Sequence, residues 1–343
     1  MIECGIIGAS GYSGELLVKL LTRHPEARVR VAGSRQWAGR KVADALPTTR
    51  GYAGDLTFVS PQVEELVRDY PEVEVYFLAL PHGVAAEFAL PLIEAGKRVI
   101  DLSADFRLFS PETYETYYGH AHPAPEWLDK APYVLPELSN SAWKDSSLIA
   151  CPGCYPTSIL LPLIPLLREK VISGDHLVIN SLSGISGAGK KISESYLFCE
   201  RADSVKAYSI ARHRHLSEIE EQLTFAANKE IIVQFTPHLA PMKRGIATTI
   251  VLPKGRGTLE KVYEVWHQAF DGRPFITLLP PGETPDTAHV IGTNRVEMAG
   301  AFDERTKQFV LTSAEDNLMK GAGGQAVQIF NLWYGFPETT GLL

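Results

Sequence analysis

"GIIGASGYSGELL", residues 5–17, opens the chain: the apolar run IECGII (2–7) passes through glycines at 8, 11 and 14 into the stretch GELLVKLLTRHP (14–25). An apolar run, a glycine turn and a segment with helical periodicity read as strand, turn and helix, with Pro25 as the stop. Glycines at such a junction permit a tight turn, let backbone N–H groups approach a pyrophosphate and let helix and strand pack closely. The helix N-terminus then favours the anion. Gly8, Ser10, Gly11, Tyr12, Ser13 and Gly14 are therefore expected to cradle a dinucleotide.

The end of the second strand, RVRVAG (28–33), says which one. An NAD site places Asp or Glu there to hold the ribose 2′-hydroxyl. Here the chain reads GSRQWAGRK (33–41) with no carboxylate, so Ser34 and Arg35 are expected to meet a 2′-phosphate. The cofactor expected is NADP(H).

Working outward, EVYFLAL (74–80), KRVIDLS (97–103) and SLIA (147–150) continue the strands, with GVAAEFALPLIEAG (83–96) as an intervening helix. Apolar runs alternating with helices predict a parallel sheet covered on both faces, a Rossmann-type α/β domain. After about residue 155 the texture changes. HLVINSLSG (176–184), IIVQFTPHL (231–239), GIATTIVLPK (245–254) and the pair NRVEMAGAF (294–302) and KQFVLTSA (307–314) predict a mixed or antiparallel sheet. That makes the second domain α+β and catalytic. The tail, KGAGGQAVQIFNLWYGF (320–336), reads as a helix returning to the first domain. The expected division is 1–153 with 317–343 for the dinucleotide, and 154–316 for the second domain.

Bulk properties narrow the classes. At 343 residues the chain exceeds what one core serves. A net charge of −7 and no basic run argue against a nucleic-acid surface. No apolar stretch is long enough to span a bilayer, and the N-terminus lacks the basic start of a signal peptide. Four cysteines in so long a chain point to reduced thiols in the cytoplasm.

ACPGCYPTS (150–158) holds two of those cysteines. A zinc site needs further ligands at suitable spacing, and Cys4 and Cys199 bring no second pair, so no metal is expected. Cys154 follows a Pro-Gly turn and precedes Pro156, which suits a first helical turn. A thiol there is biased toward thiolate, although two ordinary buried cysteines are the plainer reading. Pro162 and Pro165 are expected to kink this helix. ARHRHLSEIEEQL (211–223) supplies a base: His215 and Glu218, three apart, share a helix face, and His213 and Arg214 flank them. Simple capping by Ser217 and Glu218 accounts for part of the same pattern.

Eight segments in one order, GASGYSGELL, LALPHG, DLSADFR, PGCYPT, SGISGAGK, HRHLSEI, PMKRGI and DNLMKGAGGQA, resemble the N-acetyl-γ-glutamyl-phosphate reductases along the whole chain. That resemblance implies an NADPH-dependent, semialdehyde-forming enzyme of arginine biosynthesis, with Cys154 as nucleophile and His215 as acid/base. It implies that Ser183, Gly184, Gly187 and His213 lie near substrate or nicotinamide, that Asn317 lies near the cofactor, and that the protein is a homo-oligomer, dimer or tetramer. Ser103, in DLSADFR, is counted with the cofactor contacts. Arg107 and Arg244 are candidates for substrate phosphate or carboxylate, with structural ion pairing as the equal alternative. The family usually has Asn at position 151 and Pro at 217; here they are Cys and Ser. Alternatives in view are the related reductase of carrier-bound aminoadipyl phosphate in lysine synthesis, a non-catalytic NADP sensor, and a redox switch through Cys151 and Cys154. Aspartate-semialdehyde and glyceraldehyde-phosphate dehydrogenases share the architecture but fit these motifs less well.

Overall fold

Six strands form a parallel sheet in the first of two units into which a computed structural model divides the chain, Met1–Pro152 with Ala322–Leu343. The structure describes residues 1–190, 192–255 and 257–343. The strands are β1 (Ile2–Ile7), β2 (Ala27–Gly33), β3 (Phe58–Val59), β4 (Val75–Leu78), β5 (Arg98–Asp101) and β6 (Leu148–Ala150). Their order is β3-β2-β1-β4-β5-β6, so the chain winds outward from β1 in both directions. In such sheets ligands bind at the carboxyl ends of the strands, where the winding reverses. Ile6, Ile7, Val75, Phe77, Leu78, Val99 and Ile100 are fully buried, as both faces of a covered parallel sheet require.

Helix α1 (Tyr12–Leu21) follows β1 directly and buries Leu17, Val18 and Leu21. Its last residue is Leu21 and Thr22 is its C-cap, three residues ahead of Pro25; the Thr22 N–H and hydroxyl both donate to the Val18 carbonyl, at 3.0 and 2.7 Å. The closing helix (Gly324–Trp333) belongs to this unit and packs on α1.

The second unit, Gly153–Gly321, holds a seven-stranded mixed sheet. Its strands are β7 (Leu177–Ser183), β8 (Lys206–Ala207), β9 (Val233–Leu239), β10 (Ile246–Pro253), β11 (Ile276–Leu278), β12 (Val296–Asp303) and β13 (Gln308–Glu315), in the order β11-β12-β13-β10-β7-β9-β8. β7/β9 and β11/β12 are parallel and the other pairs antiparallel. β10 alternates buried and half-buried positions, Ile246, Thr248, Ile250 and Leu252 facing inward, the period-2 signature of a sheet with one covered face.

The cover is α2 (Cys154–Arg168), which packs on β10, β13, α3 (His215–Ala227) and α4 (Leu259–Phe270). Pro162 and Pro165 lie inside α2, which nevertheless runs as one helix. Pro162 has no N–H for the Ser158 carbonyl four residues back. The Ser313 hydroxyl, on β13, donates to that carbonyl at 2.6 Å instead, and the Pro162 carbonyl accepts the Trp266 indole N–H at 2.9 Å. The one carbonyl that Pro162 deprives of its donor is thus satisfied from the sheet, and the Trp266 bond ties α2 to α4.

Candidate active site

The turn between β1 and α1 is shaped by steric necessity. Gly8 has φ +86°, and a Cβ there would overlap the Ala79 carbonyl oxygen. At Gly14 a Cβ would overlap the Gly8 carbonyl oxygen and lie 2.7 Å from Ala9 Cα. Gly11, the residue ahead of the first helical turn, differs: its Cβ would meet only the Gly8 carbonyl oxygen, at an ordinary 3.5 Å. The protein itself leaves that side of Gly11 open, which is what a group approaching the helix N-terminus needs. The residues present therefore fit a dinucleotide.

Ser34, just after β2, donates its hydroxyl to Ser10 Oγ at 2.9 Å, tying the end of β2 to the glycine turn. Arg35 is exposed, with its guanidinium carbon 5.9 Å from the Phe88 ring centroid. Tyr12 and Ser13 are the first two residues of α1.

Ser103 is buried and works inward. Its hydroxyl donates to Asp101 Oδ2 at 2.7 Å and accepts from the Asp105 N–H at 3.1 Å. Burial, and then the neighbouring Asp105, raise the Asp101 carboxyl to about 7. Asp105 in turn accepts from the Gly83 N–H at 2.6 Å and the Ala85 N–H at 2.9 Å, fixing the loop after β4. Arg107, also buried, donates from Nε to the Cys151 carbonyl and from Nη2 to the Leu102 carbonyl, both at 2.8 Å. It thereby holds the segment leaving β6.

The second unit begins one residue before Cys154. Gly153 caps α2, Cys154 is its first residue, and the thiol is half-buried. A thiol at that position lies in the field of the helix N-terminus. Glu218, fully buried on α3, accepts from the Gly153 N–H through Oε1 at 2.8 Å. Its carboxylate thus anchors the end of the helix that presents the thiol. On the other side stands Gly321, where a Cβ would lie 2.6 Å from Cys154 Cβ and 2.9 Å from Glu315 Oε1. Among the described residues no disulfide joins any cysteines; Cys151 is buried and Cys199 exposed.

The two histidines open α3. His213 Nδ1 accepts from the His215 N–H at 3.1 Å, so its proton resides on Nε2, 3.4 Å from the Tyr208 hydroxyl. Tyr208 and Tyr155 hydroxyls are 2.9 Å apart. Burial, and secondarily the Arg214 charge, lower His213 to about 4, so it is neutral near neutral pH. Burial likewise holds both tyrosines above their ordinary range as phenols. The Tyr155 ring meets both imidazoles edge-on, with centroids 5.2 Å from His213 and 5.9 Å from His215. Tyr155, Tyr208 and Gly321 were not singled out from sequence. Tyr155 and Gly321 stand inside quoted motifs, whereas Tyr208 sits in a stretch without a pattern.

Ser183, Gly184, Gly187 and Asn317 come together in the same unit. Asn317 is buried, accepts from the Gly245 N–H at 2.8 Å and donates to Ser186 Oγ at 3.0 Å. The Gly184 N–H donates to the Gly245 carbonyl at 2.8 Å. Gly187 lies against the Ser183 hydroxyl, 3.0 Å from where a Cβ would stand. Arg244 forms an ion pair with buried Asp316, Nη2 to Oδ1 at 2.8 Å. The same carboxylate accepts N–H groups of Gly292 (2.7 Å) and Leu318 (2.8 Å), ordering the turn that leads to Gly321.

A glycine cradle on a parallel sheet, followed by a helix-end cysteine and paired histidines on a mixed sheet, defines the semialdehyde dehydrogenase class. The family described as "Semialdehyde dehydrogenase, NAD binding domain" matches residues 3–146, and "Semialdehyde dehydrogenase, dimerisation domain" matches residues 154–317. Aspartate semialdehyde dehydrogenase II from Vibrio cholerae shares the fold, with TM-score 0.73 at 19% identity over 98% of each chain. The aspartate semialdehyde dehydrogenase of Candida albicans, solved with NADP, gives 0.69 at 19% identity over 97% of this chain and 99% of the other.

Sequence relatives are narrower in name. The N-acetyl-γ-glutamyl-phosphate reductase of Akkermansia muciniphila is 46% identical, covering 99% of this chain and 98% of its own. Those of Moorella thermoacetica and Geobacter metallireducens are 44% and 43% identical, covering 100% of this chain and 98% of theirs. The chain belongs to the N-acetyl-γ-glutamyl-phosphate reductases. As such it is an oxidoreductase of amino-acid biosynthesis that works with NADP(H). Among the described residues no helix is long and apolar enough to cross a membrane.

Proposed function

We propose that this chain reduces N-acetyl-γ-glutamyl phosphate to N-acetylglutamate 5-semialdehyde in the cytoplasm, with Cys154 as nucleophile and His215 as acid/base. The observation that carries the reading is Cys154 as first residue of α2, its helix end anchored by Glu218 through the Gly153 N–H. The thiolate attacks the acyl carbon; the C–O bond breaks with its electron pair leaving on phosphate, and a thioester remains. When bound, NADPH supplies the hydride that brings this carbon to the aldehyde level. His215 holds a proton at the former carbonyl oxygen and takes it back as the C–S bond breaks and thiolate leaves.

His213 is a positioning residue in this reading. Neutral and bonded to the His215 N–H, it fixes the start of α3 through the Tyr208 and Tyr155 hydroxyls. Arg107 and Arg244 are positioning residues too, supported by their bonds to carbonyl oxygens and to Asp316. The glycine turn with Ser10, Tyr12, Ser13, Ser34 and Arg35 binds the dinucleotide, Arg35 facing its 2′-phosphate; Ser103 supports the neighbouring loop through Asp101 and Asp105. Ser183, Gly184 and Gly187 lie toward the nicotinamide and the substrate, and Asn317 toward the cofactor. Residues 1–153 with 317–343 serve the cofactor, and 154–316 serve catalysis and assembly into a dimer or tetramer.

The test runs the reaction backwards, since acyl phosphates are labile. N-acetylglutamate semialdehyde, phosphate and NADP⁺ are mixed with wild type, Cys154→Ser and Cys151→Ser, and NADPH absorbance is followed. Phosphate-dependent NADPH formation by wild type and Cys151→Ser, absent in Cys154→Ser, is expected. A wild type that binds NADP⁺ and stays dark overturns the assignment and favours the aminoadipyl substrate.

A further inference from the structure

A cavity of about 450 Å³ opens in the second unit, lined by Ser183, Gly187, Tyr208 and His213 together with four cationic side chains: Arg201, Lys206, Arg212 and Arg214. No acidic side chain is among its described lining residues. Four cationic side chains around one cavity, with no acidic residue among its described lining, favour an anion there. One of the four is built differently from the rest. Lys206, Arg212 and Arg214 are exposed, whereas Arg201 is half-buried and its Nε is enclosed, with no hydrogen-bond acceptor among the described residues. A buried N–H donor without an acceptor costs free energy in the folded protein, and a ligand oxygen would recover it.

We propose that Arg201 recognises the α-carboxylate of the substrate and makes the enzyme selective for acyl phosphates that carry a free one. The inference rests on the reaction assigned above. There the reacting carbon must sit on Cys154, which is not among the described lining residues of this cavity, while Ser183, Gly187 and His213 are. The cavity therefore receives the far end of the molecule, which bears the acetamido group and the carboxylate. A guanidinium offers a planar fork that matches a carboxylate at two points, which an ammonium does not. Exposed Lys206, Arg212 and Arg214 at the same cavity raise the local concentration of an anionic substrate without fixing its geometry.

The experiment compares N-acetylglutamate semialdehyde with its α-carboxamide analogue in the reverse assay, for wild type, Arg201→Gln and Arg201→Lys. The ratio of kcat/KM for the two substrates does not depend on how much of a variant is folded. Arg201→Gln is expected to lower kcat/KM for the carboxylate about 30- to 100-fold, mainly through KM, and to leave the carboxamide within about threefold. Arg201→Lys should fall between them and supplies the ratio if the glutamine variant does not fold. Equal losses on both substrates, no change in the ratio, or a raised KM for phosphate instead would overturn the proposal. A wild type that turns over neither substrate refutes the underlying reaction and not Arg201 in particular.

Discussion

Gly321→Ala is the sharpest geometric test of how the nucleophile is held. The added Cβ would stand 2.6 Å from Cys154 Cβ, 2.9 Å from Glu315 Oε1 and 3.1 Å from Cys154 Cα. Carbon atoms rest about 3.5–4.0 Å apart, so the two segments must separate by about 1 Å. Cys154 Cβ cannot rotate away, because it is fixed by the backbone of α2. Overpacking of this kind costs about 1–3 kcal/mol, or roughly 2–12 °C in Tm for a unit of this size. The kinetic cost lies at the upper end of that range, since a 1 Å misplacement of a reacting group costs about 100-fold in rate, or about 2.7 kcal/mol. Semialdehyde oxidation, thermal melting and NADP⁺ binding would be measured on one preparation. A folded variant with kcat down about 100-fold and NADP⁺ affinity within about twofold of wild type is expected. Unchanged kcat would refute the argument that the bare Gly321 backbone sets the place of the thiol.

Two further predictions bear on the cofactor and on the histidines. Gly11→Ala should fold with nearly wild-type Tm, because its Cβ meets no protein atom closer than 3.5 Å, yet lose NADP⁺ affinity at least tenfold by calorimetry; Gly14→Ala, whose Cβ overlaps the Gly8 carbonyl, should instead lose stability. His213 titrates near 4 in the folded chain and near 6.5 unfolded, so its stability is fully present above about pH 6.5 and is lost as pH falls toward 4. Urea titrations should show wild type losing up to about 3 kcal/mol more than His213→Asn across that window, while a near-neutral inflection in kcat/KM persists in His213→Asn.

The parallel sheet was legible because its central strands are apolar runs: β4 and β6 are apolar and buried throughout, and β1 is buried from Cys4 onward, whereas β2 carries exposed Arg28 and Arg30 and is buried at its ends. Helix starts were legible at α1 and α2 for the local reason that glycine turns and an early proline announce them. What escaped notice depended on partners far away in the chain. The Ser158 carbonyl that Pro162 leaves without a helical donor is satisfied by Ser313, 155 residues beyond Ser158. The end of α1 at Leu21 falls within the few residues before Pro25 where the proline calls for it. Glu218 is expected from its spacing to share a helix face with His215; its Oε1 also accepts from the Gly153 N–H, 65 residues earlier, which no spacing announces. Spacing says which residues share a helix face, not which distant group that face will meet.

The same distinction bears on the choice between His213 and His215 as the acid/base. Spacing alone pairs His215 with Glu218, whose Oε1 also accepts from the Gly153 N–H at the start of the Cys154 helix. A stronger argument comes from the hydrogen bonds of His213. Its Nδ1 is spent on the His215 N–H, its Nε2 proton faces Tyr208, and burial keeps the ring neutral down to about pH 4. Protonating it would place two donors where one acceptor is needed, breaking the bond that sets the first turn of α3. A group so constrained is poorly matched to a proton that must come and go near neutral pH. On the proposed reading, His215 is the group that moves the proton and His213 the group that keeps it in place.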